Sequence, residues 1–479
     1  MNQLIRTLFL SMMLVLSLNS GAGERVAFIP GAQIGGEKVL SHLKLKSVIT
    51  EFLDPQNTGL GKSIGYLVWR ETLAAISDQA GAGVILAHPP GEQRIVELLR
   101  QDYHKAALEI AKYEEAPIAL WGRVTRDQGR LIVDTACTLL PEISDTALKV
   151  RLSTKDPRAA DKDPLTLQAV IPRTRFSFAW VETTRKRLFE RSLVTGYAGA
   201  VLRAEPNKNA RKVATLPANR GLQSVDMQGA WFRVHLDDGE TAYVNAGSVM
   251  LPPREVTAAG RRVQFYRNPD KGSAKLKQVK LNSLYQVLDS RYLRKGVWYR
   301  IKAGDDEGWV EGWRVTPRFS LPAVHFLAGL FRYFAQKYDI AEQEFGQFIE
   351  RAGANTRNRV MATAYQLRAA SRLLKERHAF DADKQAVLSD LEKASRLTPY
   401  DPSNYNLQVI AQLGAFPDES KALKALQRAL ALDADDPTAL GLAKKLSKIA
   451  DRPRDTQYRR LIRFTPQQKL EIEKLTIPR

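Results

Sequence analysis

The residue types that usually carry chemistry are present in this chain, but their spacing does not form a site. No two histidines stand at metal-ligand spacing, and no His-Glu-x-x-His motif occurs. The only cysteine, Cys137, lies in an alternating, strand-like segment whose apolar setting would raise the thiol pKa and not activate it. A Gly-x-Ser-x-Gly pattern occurs once, at residues 61–65, but we interpret this segment as the start of a helix and not as a nucleophile turn. We therefore predict no catalytic residue, no metal site and no cofactor.

One short segment invites a phosphate-binding interpretation. Residues 59–63 read Gly-Leu-Gly-Lys-Ser, but a phosphate loop requires a glycine five places before Gly61, where Gln56 stands. A glycine-rich helix entry accounts for the pattern equally well. We interpret Lys62 and Ser63 as the start of a helix.

The strongest pattern is a repeat of aromatic and arginine residues. Trp-Phe-Arg-Val at 231–234 recurs as Trp-Tyr-Arg-Ile at 298–301, which is 67 residues later (298 − 231). Each segment is followed by a short polar turn and a second strand, as in a small antiparallel barrel. Core packing is the favoured role of the tryptophans, and the alternative is a groove for a peptide or glycan stem. The candidate groove residues are Trp231, Arg233, Tyr243, Trp298, Arg300, Trp309 and Trp313.

The order of segments in the two copies resembles that of bacterial SH3 domains. An entry segment ending in proline (199–206 and 263–269) precedes the Trp-x-x-β-branched strand, and Tyr-Val or Gly-Trp-Val follows it. The resemblance covers residues 195–252 and 261–317. It implies two SH3-like barrels of the kind found in wall-associated and periplasmic proteins.

The N-terminus indicates export. A single basic residue, Arg6, precedes an apolar run from Leu8 to Leu18 and a small-residue exit, which is the pattern of a signal peptide over residues 1–22 cleaved near Ala22. The run is shorter than the roughly 20 residues of a membrane span, so a retained anchor is the less favoured alternative. With one cysteine the chain forms no internal disulfide. We expect a periplasmic protein without a transmembrane segment in its mature form.

The net charge of +20 is concentrated in the middle of the chain. Residues 24–150 carry 14 basic and 16 acidic side chains, residues 151–320 carry 31 and 17, and residues 321–479 carry 26 and 19. Behind a signal peptide, the expected polyanions are anionic envelope polymers and not nucleic acid. The alternative is a solvated basic surface that aids solubility.

The regions on either side of the barrels differ in pattern. Residues 24–150 alternate short apolar strands with two amphipathic helices, and their order resembles the N-terminal α/β domains of TolB-like periplasmic proteins. Residues 151–192 are predicted to be a linker with connecting strands. From residue 321 onward, apolar residues recur at helical spacing.

The helical region contains a second repeat. Leu-Glu-Lys-Ala at 391–394 recurs as Leu-Gln-Arg-Ala at 426–429, an offset of 35 residues (426 − 391). Residues 321–450 resemble tetratricopeptide (TPR) repeats, which implies a stacked helical array whose concave face binds a partner. Residues 451–479 are predicted to be a basic capping helix or tail.

The predicted fold class is multidomain α+β: an α/β domain, two SH3-like β-barrels and a TPR-like α-helical solenoid. The favoured function is a non-enzymatic envelope adaptor whose barrels bind peptidoglycan peptide or envelope proteins and whose repeats bind a second protein. One alternative is an enzyme or enzyme subunit with a site in residues 24–150, where Asp54, Glu71 or Glu109 would supply a perturbed carboxylate. The other is a structural component of a secretion or motility complex.

Overall fold

The fold is known from a computed structural model. It describes residues 26–29, 32–35, 45–76, 82–87, 102–140, 148–153, 166–196, 198–258, 263–280, 283–293, 296–353, 355–375, 384–415, 418–450 and 465–476. The predicted signal peptide lies outside these residues. No helix within them is both long enough and apolar enough to span a bilayer.

The strands are β1 (Val26–Ile29), β2 (Ala32–Gly35), β3 (Leu45–Thr50), β4 (Ala82–Ala87), β5 (Ile118–Asp127), β6 (Arg130–Leu139), β7 (Lys149–Ser153), β8 (Thr166–Val170), β9 (Arg175–Ser177), β10 (Val181–Thr183), β11 (Arg191–Thr195), β12 (Ala200–Arg203), β13 (Lys212–Leu216), β14 (Gly221–Gln228), β15 (Trp231–His235), β16 (Thr241–Asn245), β17 (Val249–Met250), β18 (Glu255–Ala258), β19 (Val263–Tyr266), β20 (Lys275–Val279), β21 (Leu284–Leu293), β22 (Gly296–Ala303), β23 (Asp306–Glu311) and β24 (Val315–Arg318). The α-helices are α1 (Leu60–Ala75), α2 (Tyr103–Tyr113), α3 (Arg185–Phe189), α4 (Pro322–Phe334), α5 (Tyr338–Arg351), α6 (Asn358–Lys375), α7 (Lys384–Leu397), α8 (Pro402–Ile410), α9 (Glu419–Leu432), α10 (Pro437–Ala450) and α11 (Pro466–Thr476).

The chain divides into two compact units. Unit 1 consists of Met1–Thr138 and Trp180–Phe331, and unit 2 of Leu139–Ala179 and Arg332–Arg479. A β-rich middle and a helical C-terminal region confirm the predicted mixed α+β class. The finer predictions of barrels, TPR repeats and domain limits stay predictions.

The N-terminal part of unit 1 is a mixed sheet in which β3 is parallel to both β4 and β5. Helix α1 connects β3 to β4 and is buried along almost its whole length, with Lys62 as its exposed residue. It packs on β3, β4 and β5 and also contacts β14. Because α1 is covered on two sides, it buries residues all round, including the charged Arg70 and Glu71. A Cβ atom at Gly61 would lie 2.1 Å from the Phe52 carbonyl oxygen, so the close approach of helix and strand requires glycine there.

Two seven-stranded antiparallel sheets follow, which we call β-module 1 (β11–β17) and β-module 2 (β18–β24). Their strand orders are β13-β12-β16-β15-β14-β11-β17 and β20-β19-β23-β22-β21-β18-β24, so each strand of one has an equivalent in the other. Even the irregularities match, because β14 shifts register between Ser224 and Asp226 and β21 between Val287 and Asp289. The sequence repeat is therefore a duplication of a complete fold unit. Both sheets begin one strand before the predicted ranges.

Unit 2 contains consecutive helices, each of which contacts the next from α5 to α11. The 35-residue repeat places Leu391 and Leu426 at equivalent positions with no exposed surface. Asp401 and Asp436 occupy the same place before α8 and α10, where each carboxylate accepts a backbone N–H of the helix it precedes. The predicted C-terminal capping segment contains helix α11, which packs on α10 and α9.

Strands β7 and β8 form an antiparallel hairpin that belongs to unit 2. β7 contacts α6, and β8 contacts α8 and α10. These three helices also contact one another in order, so they form one side of the helical array. The chain therefore covers that side with its own hairpin.

Candidate functional site

The sequence repeat forms a row of aromatic and arginine side chains on one face of each β-module. In β15, Phe232 and Val234 are fully buried, whereas Arg233 between them is exposed. Successive residues of a strand point to opposite faces, so Trp231 and Arg233 share the face away from the module's core. We call this the outer face.

Cross-strand pairing extends the outer face of β-module 1. Arg233 pairs with Tyr243 of β16, and Tyr243 pairs on its other side with Arg203 of β12. Paired residues in neighbouring antiparallel strands lie on the same side of the sheet. Trp231 and Tyr243 are half-buried, so each presents part of its ring to solvent beside a guanidinium group.

β-Module 2 has the same row with one more aromatic residue. Arg300 pairs with Trp309, which pairs with Tyr266. Trp298 is paired with Glu311, as Trp231 is with Asn245. The Tyr266 and Trp298 rings meet edge to face, with centroids 5.5 Å apart at 81°. The rings of this cluster pack on one another and are largely buried, so the arginine side chains beside them supply much of the exposed surface of the row.

Burial of the tryptophans of β-module 2 agrees with the favoured core role, but they pack in a cluster of their own. Its central core contains Phe265, Tyr299, Ile301 and Val310. Trp298 and Trp309 form a separate cluster with Tyr266, and they remain 6% and 8% exposed. The tryptophans are buried as expected, but against one another on the outer face, because the strand alternation assigns the inner positions to Tyr299 and Ile301. Trp313 lies in the one-turn helix Gly312–Arg314, and its side chain is outside the described part of the structure.

Charged residues surround the aromatic cluster of β-module 2. The Arg291 guanidinium lies 5.9 Å from the centroid of the Trp309 ring, within the range of a cation–π contact. Glu311, almost fully buried, accepts ion pairs from Lys271 at 2.8 Å and Arg314 at 3.1 Å. Arg300 lies 4.0 Å from Glu307. The outer face therefore combines aromatic surface with both signs of charge.

Two outer-face residues were missed in the sequence. Arg203 and Tyr266 lie in the entry segments that resemble the bacterial SH3 pattern, but their side-chain direction depends on how β12 and β19 pair with β16 and β23. The inward-facing Leu202 and Phe265, both fully buried, are the signal that could have identified them. In each segment the outer-face residue directly follows this buried apolar residue.

The carboxylates of the N-terminal domain do not converge. Asp54 accepts the backbone N–H of Leu60 at 3.0 Å and so caps α1, next to the segment that resembles a phosphate loop. Glu71 is fully buried in an ion pair with Arg191 of β11. Glu109 makes an i,i+3 pair with Lys112 on helix α2. These three acids serve separate structural roles.

Cys137 and the histidines do not build a reactive group in the described residues. Burial raises the pKa of the Cys137 thiol, since the thiolate would lose its hydration. His104 makes a 3.0 Å hydrogen bond to Thr138 Oγ1, which also accepts the Trp121 indole N–H at 2.9 Å. No group of three metal-ligating side chains comes together within the parts of the chain that the structure describes.

Comparison with known proteins identifies part of β-module 1. Among solved structures, NlpC2 and NlpC1 from Trichomonas vaginalis are each 15% identical to the chain with a TM-score of 0.16, and each covers 27% of it. The chain in turn spans 48% and 46% of those proteins, which is less than half their length. A search of curated protein sequences finds no match. Residues 198–250, the segment that carries Trp231, Arg233 and Tyr243, match the family model of the bacterial SH3 domain.

Proposed function

We propose that this protein is an exported, non-enzymatic adaptor that binds cell-wall peptide or an envelope protein through the outer faces of its β-modules. The observation that carries the proposal is the duplicated row of side chains. Trp231, Arg233 and Tyr243 stand in the same cross-strand relation as Trp298, Arg300 and Trp309. On the outer faces, five paired sheet positions described above are equivalent in the two modules. Four of the five carry an aromatic or arginine residue in both modules. The bacterial SH3 match of residues 198–250 supports the same class of ligand.

Aromatic and guanidinium groups suit a peptide or glycan stem for a physical reason. Such ligands have an apolar side and a regular series of hydrogen-bonding groups. An aromatic ring can pack on the apolar side while the guanidinium group beside it forms the hydrogen bonds. Two similar faces on one chain would also raise the local concentration of the second ligand site once the first is bound. The modules thus favour binding to a repetitive polymer over binding to a single small molecule.

The helical array is proposed to hold a second protein. The hairpin β7–β8 lies on the α6, α8 and α10 side, so the partner is expected on the side of α5, α7 and α9. That side carries exposed cations, among them Lys393 and Arg396 on α7 and Lys421, Lys424 and Arg428 on α9. An acidic partner surface would complement them.

Retention of the mature protein on purified wall sacculi in rising salt tests the wall-binding proposal. Contacts made by rings and short hydrogen bonds are screened little by salt, whereas exposed charge pairs are screened within roughly 3 Å at 1 M salt. Retention at 1 M salt would support recognition by the outer faces. Release at moderate salt would reduce the interaction to the net charge of +20, and absence of retention would remove the wall as the ligand.

A further inference from the structure

A cleft lies between the two β-modules and adjoins the outer face of β-module 2 at Arg291. Its volume is about 980 Å³, at the upper end of the range of ligand pockets. The walls are β11 and the start of β14 from one module, β21 from the other, and the Pro252–Pro253–Arg254 connection between them. Strands β11 and β21 contact each other beneath it.

Arginine side chains fix the walls of the cleft through backbone atoms. Arg254 Nη2 donates to the carbonyl oxygens of Arg187 at 2.7 Å and Glu190 at 2.6 Å. Arg291 of β-module 2 donates to the Asn219 carbonyl oxygen of β-module 1. The cleft is therefore formed before any ligand enters, which lowers the entropic cost of binding.

Most charges that line the cleft are already paired. Arg191 is neutralised by the buried Glu71 at 2.7 Å. The carboxylates pair as Glu190 with Lys186 (3.6 Å), Asp237 with Arg220 (3.0 Å), Glu255 with Arg318 (3.7 Å) and Asp289 with Arg291 (3.3 Å).

Arg254 differs from the other cations of the cleft. Within the described residues its hydrogen bonds go to two backbone carbonyl groups, and no carboxylate lies within ion-pair distance. Partial desolvation is the main cause that lowers the pKa of Arg254, while the nearby charge of Arg191 lowers it and that of Glu71 raises it. An anion next to the exposed Arg254 side chain would offset both lowering effects.

We propose that the cleft binds a short extended peptide through one carboxylate of that peptide, held by Arg254. Among the described residues that line the cleft, Arg254 is the cation without a carboxylate partner, so the cleft can pair with one further anionic group. The exposed amides of Gln223 and Gln286 can meet peptide groups, and the half-buried Leu222 and Leu288 offer apolar contact. The inference rests on the proposed function, in which the wall supplies the peptide.

The test compares N-acetyl tetra-alanine, which has one free carboxylate, with its C-terminal amide, by ligand-observed NMR titration of the full mature chain. We expect the acid to bind roughly tenfold or more tightly than the amide, since a hydrogen bond to a charged group is lost in the amide. Arg254→Gln should weaken binding of the acid by at least the same factor and should remove the preference for the acid over the amide. Equal affinities of acid and amide, or an unchanged affinity in Arg254→Gln, would overturn the proposal.

Two further variants separate binding from folding. Arg211→Gln removes the same charge from an exposed position of β-module 1 outside the cleft and should leave the affinity for the acid within twofold of the parent. Leu288→Trp fills the cleft without changing a charge and should abolish binding of both peptides. Normal affinity in Leu288→Trp would place the peptide elsewhere and contradict the assignment. Inorganic phosphate that competes more strongly than the acid would contradict the peptide class.

The outcome is independent of whether sacculi are bound. Acid-selective binding that depends on Arg254, together with no retention on sacculi, would keep the cleft and exclude the wall as the source of its ligand. Retention on sacculi that Arg254→Gln does not affect, with no binding of the acid, would keep the outer-face proposal and exclude the cleft.

Discussion

The buried ion pair between Glu71 and Arg191 allows a quantitative prediction for unit 1. Glu71 is fully buried, and its carboxylate accepts Arg191 Nη1 at 2.7 Å, Ser320 Oγ at 2.7 Å and the Ser320 backbone N–H at 3.1 Å. It thereby joins helix α1, strand β11 and the segment after β24. Glu71→Gln leaves the Arg191 guanidinium buried without a counter-charge, which costs about 3–5 kcal/mol in similar sites.

The double-mutant cycle distinguishes this account from simple loss of packing. Arg191→Met alone should cost about 3–5 kcal/mol as well, because the Glu71 charge then remains uncompensated. In the double variant neither charge is buried, so the total loss should fall below the sum of the two by about 2 kcal/mol or more. Glu109→Gln is the matched control, since Glu109 makes a surface pair with Lys112 and should cost about 0.5 kcal/mol or less.

The sequence supplies a selective assay. All seven tryptophans lie between Trp69 and Trp313 and within unit 1, so tryptophan fluorescence in urea reports the unfolding of that unit. Far-ultraviolet circular dichroism reports the helices of unit 2 in the same samples. Additive losses in the double variant, or a loss below about 1 kcal/mol in each single variant, would refute the reasoning.

Two further predictions concern unit 2 and the cysteine. Asp401→Ala should destabilise unit 2 by about 1 kcal/mol more than Asp436→Ala in thermal unfolding followed at 222 nm. Both variants remove a helix cap, but Asp401 also pairs with the charged, largely buried Arg173, whereas Asp436 accepts from the neutral amide of Asn406. Equal losses would contradict this reasoning. Because the pKa of Cys137 is raised in the folded protein, the thiol loses its proton at lower pH in the unfolded chain than in the folded one. The contribution of the thiol to the stability of unit 1 should therefore be complete below the unfolded thiol pKa near 9. Above that pH the free energy of unfolding should fall by about 1.4 kcal/mol per pH unit. Cys137→Ala should remove that slope in urea titrations between pH 8 and 10.5, and an unchanged slope would assign it to other groups.

The sequence predicted which segments form strands and helices better than it predicted where those elements pack and which way their side chains face. Helix α1, strand β4, the duplicated strands and the helical character of the C-terminal region follow from local periodicity and turn residues, whereas strand β3 was missed. Contacts between distant parts of the chain determine where these elements pack. The connecting strands β7 and β8 pack on the helices of unit 2, which no local pattern indicates, because the choice depends on which apolar surface remains uncovered.

The candidate site shows the same division. The sequence repeat places Trp231, Arg233 and Tyr243 on one module and Trp298, Arg300 and Trp309 on the other, and strand pairing joins each set into one row. Burial of Trp298 and Trp309 agrees with the expected packing role, but local patterns do not show that Tyr299 and Ile301 fill the central core while the tryptophans form a separate cluster. The cleft between the modules has no sequence signal at all, since its walls come from four separate segments.

Binding of outer-face variants to sacculi at 1 M salt tests the central claim most directly. Tyr243→Ala removes a half-buried ring from the outer face of β-module 1, and Tyr400→Ala removes an 81% exposed ring from unit 2 as the matched control. The account predicts that the parent and Tyr400→Ala are retained while Tyr243→Ala loses roughly tenfold in affinity, in keeping with the 1–3 kcal/mol of a well-placed aromatic contact. Equal retention of all three proteins would show that the outer face is not the binding surface.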